Sequence, residues 1–557
     1  MSARTPAETG PPGPPAPTSA SAQSRTGMVT SPHALATQAG VDVLSGGGNA
    51  IEAAIATVAC LGVTYPHFCG WGGDVLMLVA DAQGQVQSIS GIGQAAQNVH
   101  GYSGTIPTRG PRSALTTAGA ADALGQALDI SRKAWGGTRT WADLLAPSIA
   151  LAREGFEVTA SERFWLDFRR PEAAALAGVF GAFSEHGQAP PPGAVRKQPL
   201  LARTLEKLAA HGPRAMYEGR LAEHIAQGLA DAGSPLTLAD LARTRARVEA
   251  PLAVDYRGGT LLAHPPPTQG LTTLQIMGVL ERFDLSKIAQ GSADHYHLLV
   301  EATKQAFMDR NRYLADPEFV DVPSARLLSR QHLDALAARI RMAQALPWPQ
   351  PFQTGDTVYV GAMDAHGNAV SLLATVYYDW GSGVVVGDTG LLWHNRGASF
   401  SLDPQHPNRL APGKRPFHTL NPGIYRKDGR TRMVYGTQGA DGQPQTLAAV
   451  LTRLIDYGMD PLAALAQPRF LLGKTFSDAR DSLKLEDDVP LAVREDLATR
   501  GHAISTVAAL SPLMGHPGAI VRDATSDILR GAHDPRSDGC ALGLGGAGMF
   551  SKLPTRQ

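Results

Sequence analysis

The chain has 557 residues, with 50 basic and 50 acidic side chains and a formal net charge of +0. Hydrophobic residues make up 43% and charged ones 18%, the balance of a globular protein with a large core and room for more than one domain. There is no basic excess to suggest nucleic acid and no polybasic run to suggest an anionic membrane, while Cys60, Cys69 and Cys540 form neither a disulfide framework nor a zinc spacing and read as buried thiols.

In chain order, residues 1 to about 26 are rich in Pro, Ser, Ala and Gly, cannot build a core, and are expected to be a disordered arm. They contain no apolar h-region, and no stretch of the chain is apolar for long enough to span a bilayer, so cytoplasm is the default compartment. After Gly46-Gly47-Gly48, Asn49 is a good N-cap, and Glu52 completes a capping-box pair for a buried helix carrying Ile51, Ile55, Val58 and Leu61. A glycine-rich loop ahead of a helix can cradle phosphate, but no Gly-Lys-Ser/Thr follows, so the turn-plus-cap reading is preferred. The string GWGGD then opens the buried strand VLMLVAD. Residues 112–250 read as mainly helical. GGTLLAHPPPTQGLTTLQIMGVLERF gives a strand, a Pro-rich turn and a helix, and HLLVEATKQAFMDRNRYLADP a second helix. His295 and His297, two apart, do not share a helix face and read as cap or surface residues rather than metal ligands. Residues 340–356 look like an exposed connector. Beyond it, Thr357–Met363, a turn at Asp364–Asn368 and AVSLLATVYY form a hairpin, and GSGVVVGDTGLLW a third extended piece.

The run Gly355-Asp356-Thr357-Val358-Tyr359-Val360 carries the chemistry. Threonine is a weak nucleophile without an adjacent base. Cutting the bond before Thr357 would supply one, because the freed α-amine has an unperturbed pKa of roughly 7.7–8.0. The Asp356–Thr357 bond of such a precursor is expected to be exposed and strained.

The strings GMVTSPHALATQAG, GGGNAIEAAIATV, GVTYPHFCGWGGD, PPPTQG, EATKQAFMDRNRYLADPEFVDVP, DTVYVGAMDAHGNAVSL, GSGVVVGDTG, LAPGKRPFHTLNPGI, GTQGADGQPQT and DPRSDGCALGLG occur in this order. Together they resemble the γ-glutamyltransferase family of N-terminal-nucleophile hydrolases, over nearly all of residues 27–550. The resemblance implies an α+β fold, a four-layer αββα sandwich. It also implies autocatalytic cleavage between Asp356 and Thr357, giving fragments 1–356 and 357–557 that remain together as a heterodimer, with higher assembly open. By position, Thr375 matches a threonine whose hydroxyl supports the nucleophile. Gly439 and Ala440 match the backbone N–H groups that hold the oxyanion, where the family usually has two glycines. No metal or cofactor is implied.

Four departures bear on substrate. The arginine that grips a glutamyl α-carboxylate in the family falls near Ile92, where there is no cation. The family's asparagine, aspartate and paired serines are replaced by Tyr377, Ser399 and His418-Thr419. A buried ammonium lacking a carboxylate partner binds poorly, so classical γ-glutamyl recognition is expected to be weakened or absent. Arg396, Arg415 and His418 remain as an expected anion pocket, since a guanidinium forks onto a carboxylate. This pattern resembles the subgroup that includes oxamate amidohydrolase and suggests an amide hydrolase or acyl transferase acting on a small amide that carries a carboxylate or other acceptor-rich group. A true γ-glutamyltransferase or glutathione hydrolase is the near alternative, and a non-catalytic scaffold the distant one. A serine hydrolase lacks a G-x-S-x-G elbow and a metallohydrolase lacks an HExxH motif.

Overall fold

A computed structural model describes residues 21–348, 356–474 and 480–545. Two seven-stranded sheets lie face to face. The first runs, in spatial order, through Ser21–Ser24, Leu529–His533, Pro517–Arg522, Arg430–Thr437, Gly423–Lys427, Gly259–Ala263 and Leu252–Tyr256. The second runs through Cys540–Gly543, Met28–Ser31, Asp356–Met363, Ala369–Tyr377, Asp74–Ala80, Val86–Gly91 and Arg247–Glu249. Every pairing within them is antiparallel.

Strand periodicity builds the layers. Along Asp356–Met363, Val358, Val360 and Ala362 join a core with the helices Ala34–Ser45 and Ala50–Thr64, while Tyr359 and Met363 face the opposing sheet. Tyr359 lies flat on that sheet because Gly436 and Gly518 leave room: a Cβ on either would fall 2.3 or 2.6 Å from the ring. On the far side, Gly270–Leu280, Ala293–Tyr313 and Gln443–Ile455 pack on the first sheet. The result is the four-layer αββα sandwich that the resemblance implied.

Local readings held where the signal was local. Asn49 and Glu52 form a capping box, and the hairpin of 356–363 with 369–377 is formed. Cys60, Cys69 and Cys540 are buried free thiols. Among the described residues, no helix is long and apolar enough to cross a membrane.

Two readings are corrected. The expected disorder of residues 1–26 fails at its end, because Ser21–Ser24 is an edge strand paired with Leu529–Ala532; main-chain pairing needs no apolar side chain. Residues 1–20 lie outside the described residues. The third extended piece holds in part: Val385–Val386 and Leu391–Leu392 are strands that pair with each other, outside the two large sheets. Of the cap-or-surface reading, the surface part is corrected, since His295 and His297 are fully buried: His295 Nδ1 accepts from the Gly291 N–H at 3.2 Å at the helix start, His297 Nδ1 meets His502 Nε2 at 2.8 Å, and His297 Nε2 meets the Arg341 carbonyl at 3.0 Å. The partners of His297 come from segments far along the chain, which helix periodicity does not reveal. Of the 340–356 connector, residues 349–355 lie outside the described residues, and within 341–348 Ala345 is buried.

Candidate active site

Thr357 is the second residue of its strand. Val358 pairs with Ala374 and Asp356 with Tyr377, so Thr375 and Val376 together oppose the single Thr357. This irregularity sits at the bond expected to be cut. The expectation of exposure is corrected for Thr357 itself, which is 1% exposed. Its strand is central in the sheet, paired with Ala369–Tyr377 on one side and, through Gly361–Met363, with Met28–Ser31 on the other. Gln443 Nε2 donates to Thr357 Oγ1 at 3.4 Å, while Gln443 Oε1 accepts from the Asn421 N–H at 3.3 Å. Thr375 Oγ1 accepts from the Tyr377 N–H at 2.8 Å, bracing a left-handed turn in which Tyr377 has φ +80°.

Gly439 and Ala440 lie between the strand Arg430–Thr437 and the helix Gln443–Ile455. Gly439 has φ +125°, a value suited to glycine, and Ala440 has φ +46°. The left-handed region costs an L-residue roughly 1–2 kcal/mol, so Ala440 keeps its N–H but must be held in place. Gln269 supplies that hold: its Nε2 donates to the Ala440 carbonyl at 2.6 Å and to the Thr419 carbonyl at 2.7 Å.

A buried charged cluster lies beside this loop. Asp74 is in register with Thr375 on the neighbouring strand. Its Oδ1 accepts from the N–H groups of Gly93 and Gly119 at 3.0 and 3.1 Å, and its Oδ2 from His418 Nε2 at 3.0 Å. Burial alone would raise the Asp74 pKa, but His394, His418 and Arg396 hold it below its ordinary value. Burial, with Arg396 adding to it, pushes the His418 pKa down to about 3, so its ring is neutral. His418 Nδ1 accepts from the Leu420 N–H at 3.3 Å, which puts the ring proton on Nε2, facing Asp74.

The grouping of Arg396, Arg415 and His418 as one anion pocket is therefore revised. His418 is neutral, with both nitrogens engaged. Arg415 is forked onto Asp316, with Nη2 to Oδ1 at 2.7 Å and Nε to Oδ2 at 3.3 Å. Arg396 differs from both. It is 0% exposed, lies 3.7 Å over the Tyr377 ring, and gives Nη1 to Thr419 Oγ1 at 3.3 Å. Among the described residues, its Nε and Nη2 have no hydrogen-bond partner. Burial pulls its pKa down to about 10, still leaving it charged at neutral pH. A buried guanidinium with two open donors calls for an acceptor. Ser399 donates to the Phe417 carbonyl at 3.2 Å, and Ile92 belongs to an apolar cluster with Leu76, Tyr359, Leu373 and Leu420, so no cation replaces the family arginine there.

Sequence reasoning missed Asp74, Gln269, Gln443 and the Arg310–Asp441 ion pair at 3.2 Å. All of them stand inside the quoted strings GWGGD, PPPTQG, FMDRNR and GTQGADGQPQT, but only folding shows what they touch. Among the described residues, one buried group has ligand-type atoms close enough to hold a metal: His297, Glu301 and His502. Its atoms are already engaged, the two imidazoles with each other and Glu301 with Lys304 Nζ at 2.8 Å and the Leu346 N–H at 3.0 Å.

A four-layer sandwich of two antiparallel sheets, with Thr357 near the start of a central strand and the glycine-bearing turn at 439–440 following the strand Arg430–Thr437, is the architecture of the N-terminal-nucleophile hydrolase class. The sequence profile of Gamma-glutamyltranspeptidase matches residues 36–544, and the chain belongs to that family and is an enzyme of its type. It is 44% identical to the oxamate amidohydrolase proenzyme of Klebsiella pneumoniae, covering 93% of this chain and 98% of that one. With the glutathione hydrolase proenzyme of Escherichia coli it shares 31%, covering 92% and 91%. Among solved structures, a cephalosporin acylase from Bacillus halodurans superposes with a TM-score of 0.86 at 33% identity, covering 94% and 96%.

Proposed function

We propose that the chain cleaves itself between Asp356 and Thr357 into a heterodimer of residues 1–356 and 357–557, and that the freed Thr357 hydrolyses a small amide bearing a carboxylate. The Thr357 hydroxyl attacks the amide carbonyl while its α-amine takes the proton. The N–H groups of Gly439 and Ala440 receive the oxyanion, and one such donor is typically worth roughly 2.7–4 kcal/mol of barrier. Collapse expels ammonia or an amine, which carries off the proton, and leaves an acyl ester on Thr357. Water then hydrolyses the ester. Thr375 braces the strand opposite the nucleophile.

The observation that carries the substrate reading is Arg396, a buried cation with Nε and Nη2 open. A carboxylate next to the scissile carbonyl would accept from both. The 44% identity to an oxamate amidohydrolase proenzyme supports the same chemistry, since oxamate joins an amide directly to a carboxylate. The test is ammonia release from oxamate by the processed protein, compared with p-nitroaniline release from γ-glutamyl-p-nitroanilide. Oxamate is expected to be the better substrate. A clear preference for the γ-glutamyl anilide would assign the site to glutathione-type substrates instead.

A further inference from the structure

We propose that Gln269 is a positioning residue that locks the oxyanion loop to the substrate-facing segment 418–419, and does so from the opposite fragment. This rests on the proposed cut at Asp356–Thr357, which leaves Gln269 on one fragment and both of its partners on the other.

The carboxamide of Gln269 is fully buried, and its two N–H bonds end on two carbonyl oxygens, Thr419 O at 2.7 Å and Ala440 O at 2.6 Å. Both neighbours are acceptors only, so the NH2 group must face them and the orientation of the amide is settled. The backbone holds the side chain in register. Gln269 N–H donates to the His418 carbonyl at 3.0 Å, His418 N–H to the Pro267 carbonyl at 2.9 Å, and Thr268 forms a parallel bridge with His418. Thr268 Oγ1 donates back to the His264 carbonyl at 3.1 Å and accepts from the Gly270 N–H at 3.2 Å, which fixes the turn just before the helix Gly270–Leu280. The string PPPTQG thus forms a short rail along residues 417–419, and its glutamine reaches past them to the loop.

What Gln269 holds is the backbone with most need of it. Ala440 sits at φ +46° where an alanine does not rest freely, and the orientation of its carbonyl sets the turn that carries the Gly439 and Ala440 N–H groups. The same amide fixes the Thr419 carbonyl, and Thr419 Oγ1 in turn accepts from Arg396. One side chain therefore registers the oxyanion donors against the guanidinium that we assign to the substrate carboxylate. Chemistry and recognition share a single reference point.

The test compares wild type with Gln269→Leu and Gln269→Glu, all as processed heterodimers. Two readouts are taken: amide hydrogen exchange of the peptide spanning 437–446, and kcat and KM for oxamate. With Gln269→Leu, exchange in that peptide should rise about tenfold while strands Asp74–Ala80 and Ala369–Tyr377 stay protected. A displacement of this kind costs up to about 100-fold in kcat, with a smaller change in KM. Gln269→Glu should recover activity relative to wild type between pH 8 and 6, as the carboxyl gains a proton to donate. Unchanged loop exchange in the leucine variant with kcat within about twofold of wild type, against that up to 100-fold loss, overturns the assignment. If wild type does not turn over oxamate, the substrate reading fails but the exchange comparison still decides the role of Gln269.

Discussion

Replacing Arg396 by methionine should separate stability from activity. Methionine matches the length of the stem and can still lie on Tyr377. In the empty site the guanidinium is poorly placed. Burial pulls its pKa down from the ordinary guanidinium value to about 10, which corresponds to roughly 3 kcal/mol of strain on the charged form. Stacking on Tyr377 at 3.7 Å returns about 2 kcal/mol for a desolvated pair. The net cost of keeping Arg396 is therefore about 1 kcal/mol, and for a chain of this size that is about 1 °C in Tm. Loss of a buried ion-pair partner for the substrate is far larger, about 3–5 kcal/mol, or roughly 10²- to 10³-fold or more in kcat/KM. Differential scanning calorimetry and ammonia release from oxamate test the two halves together. The expected result is an unchanged or slightly higher Tm with activity on oxamate reduced at least about 100-fold. A Tm several degrees lower with activity kept would show that Arg396 is structural and that the carboxylate is bound elsewhere.

Thr357→Ala should run as one chain of 58.6 kDa on a denaturing gel where wild type gives two fragments; a cut alanine variant would place the reaction elsewhere. Gly439→Ala should keep the fold and lose about 10²-fold in kcat, because φ +125° excludes an L-residue and the loop must move its N–H donors; kinetics at saturating substrate check it. Ala440→Gly should leave activity within a few-fold and change Tm by no more than about 1 °C, since relief of the left-handed backbone is offset by a freer unfolded chain. Acid should unfold the protein early. His33 and His533 have pKa values lowered to about 4, and His264, His295, His418 and His516 to about 3, in each case by burial first. The unfolded chain binds protons at these six sites from about pH 6.5 downward while the folded one does not, so stability is full above that pH and falls below it. At pH 5 the loss is about 2 kcal/mol per histidine and of order 10 kcal/mol for the six, comparable with the whole stability of a folded domain. Circular dichroism against pH should show unfolding near pH 5, and full structure at pH 4 would contradict the neutral-histidine account.

What was legible in the sequence was local or near-local. The capping pair Asn49–Glu52 spans one helical turn, and the hairpin at 356–377 announces itself by alternation and a turn-rich centre. The candidate residues Thr375, Gly439 and Ala440 came from a family likeness spread along the chain. Electrostatic roles were not legible, because they depend on remote partners. Arg415 looked like Arg396 in the sequence, yet Asp316, 99 residues upstream, takes its fork. His418 looked cationic until Asp74, 344 residues upstream, accepted from it in a dry site. The surroundings of Thr357 have the same origin, since the side chain that reaches its hydroxyl is Gln443, 86 residues downstream.

On the proposed reading, the arrangement divides labour between chemistry and recognition. The proposed nucleophile, Thr357, is carried by a central strand whose side chains are locked between helices and the opposing sheet. The recognition we propose for Arg396 would fall to segments 396–399 and 418–419, which belong to neither large sheet and are held by side chains from elsewhere: Gln269 for Thr419, Asp74 for His418, Asn408 for the Ser399 carbonyl at 2.8 Å. A change in those segments can alter the charge presented to substrate without moving the hydroxyl that attacks it. The departures from the γ-glutamyl pattern at Tyr377, Ser399, His418 and Thr419 all fall in that second layer or at the strand end that meets it. This is where a family that keeps one reaction would change the acid it accepts.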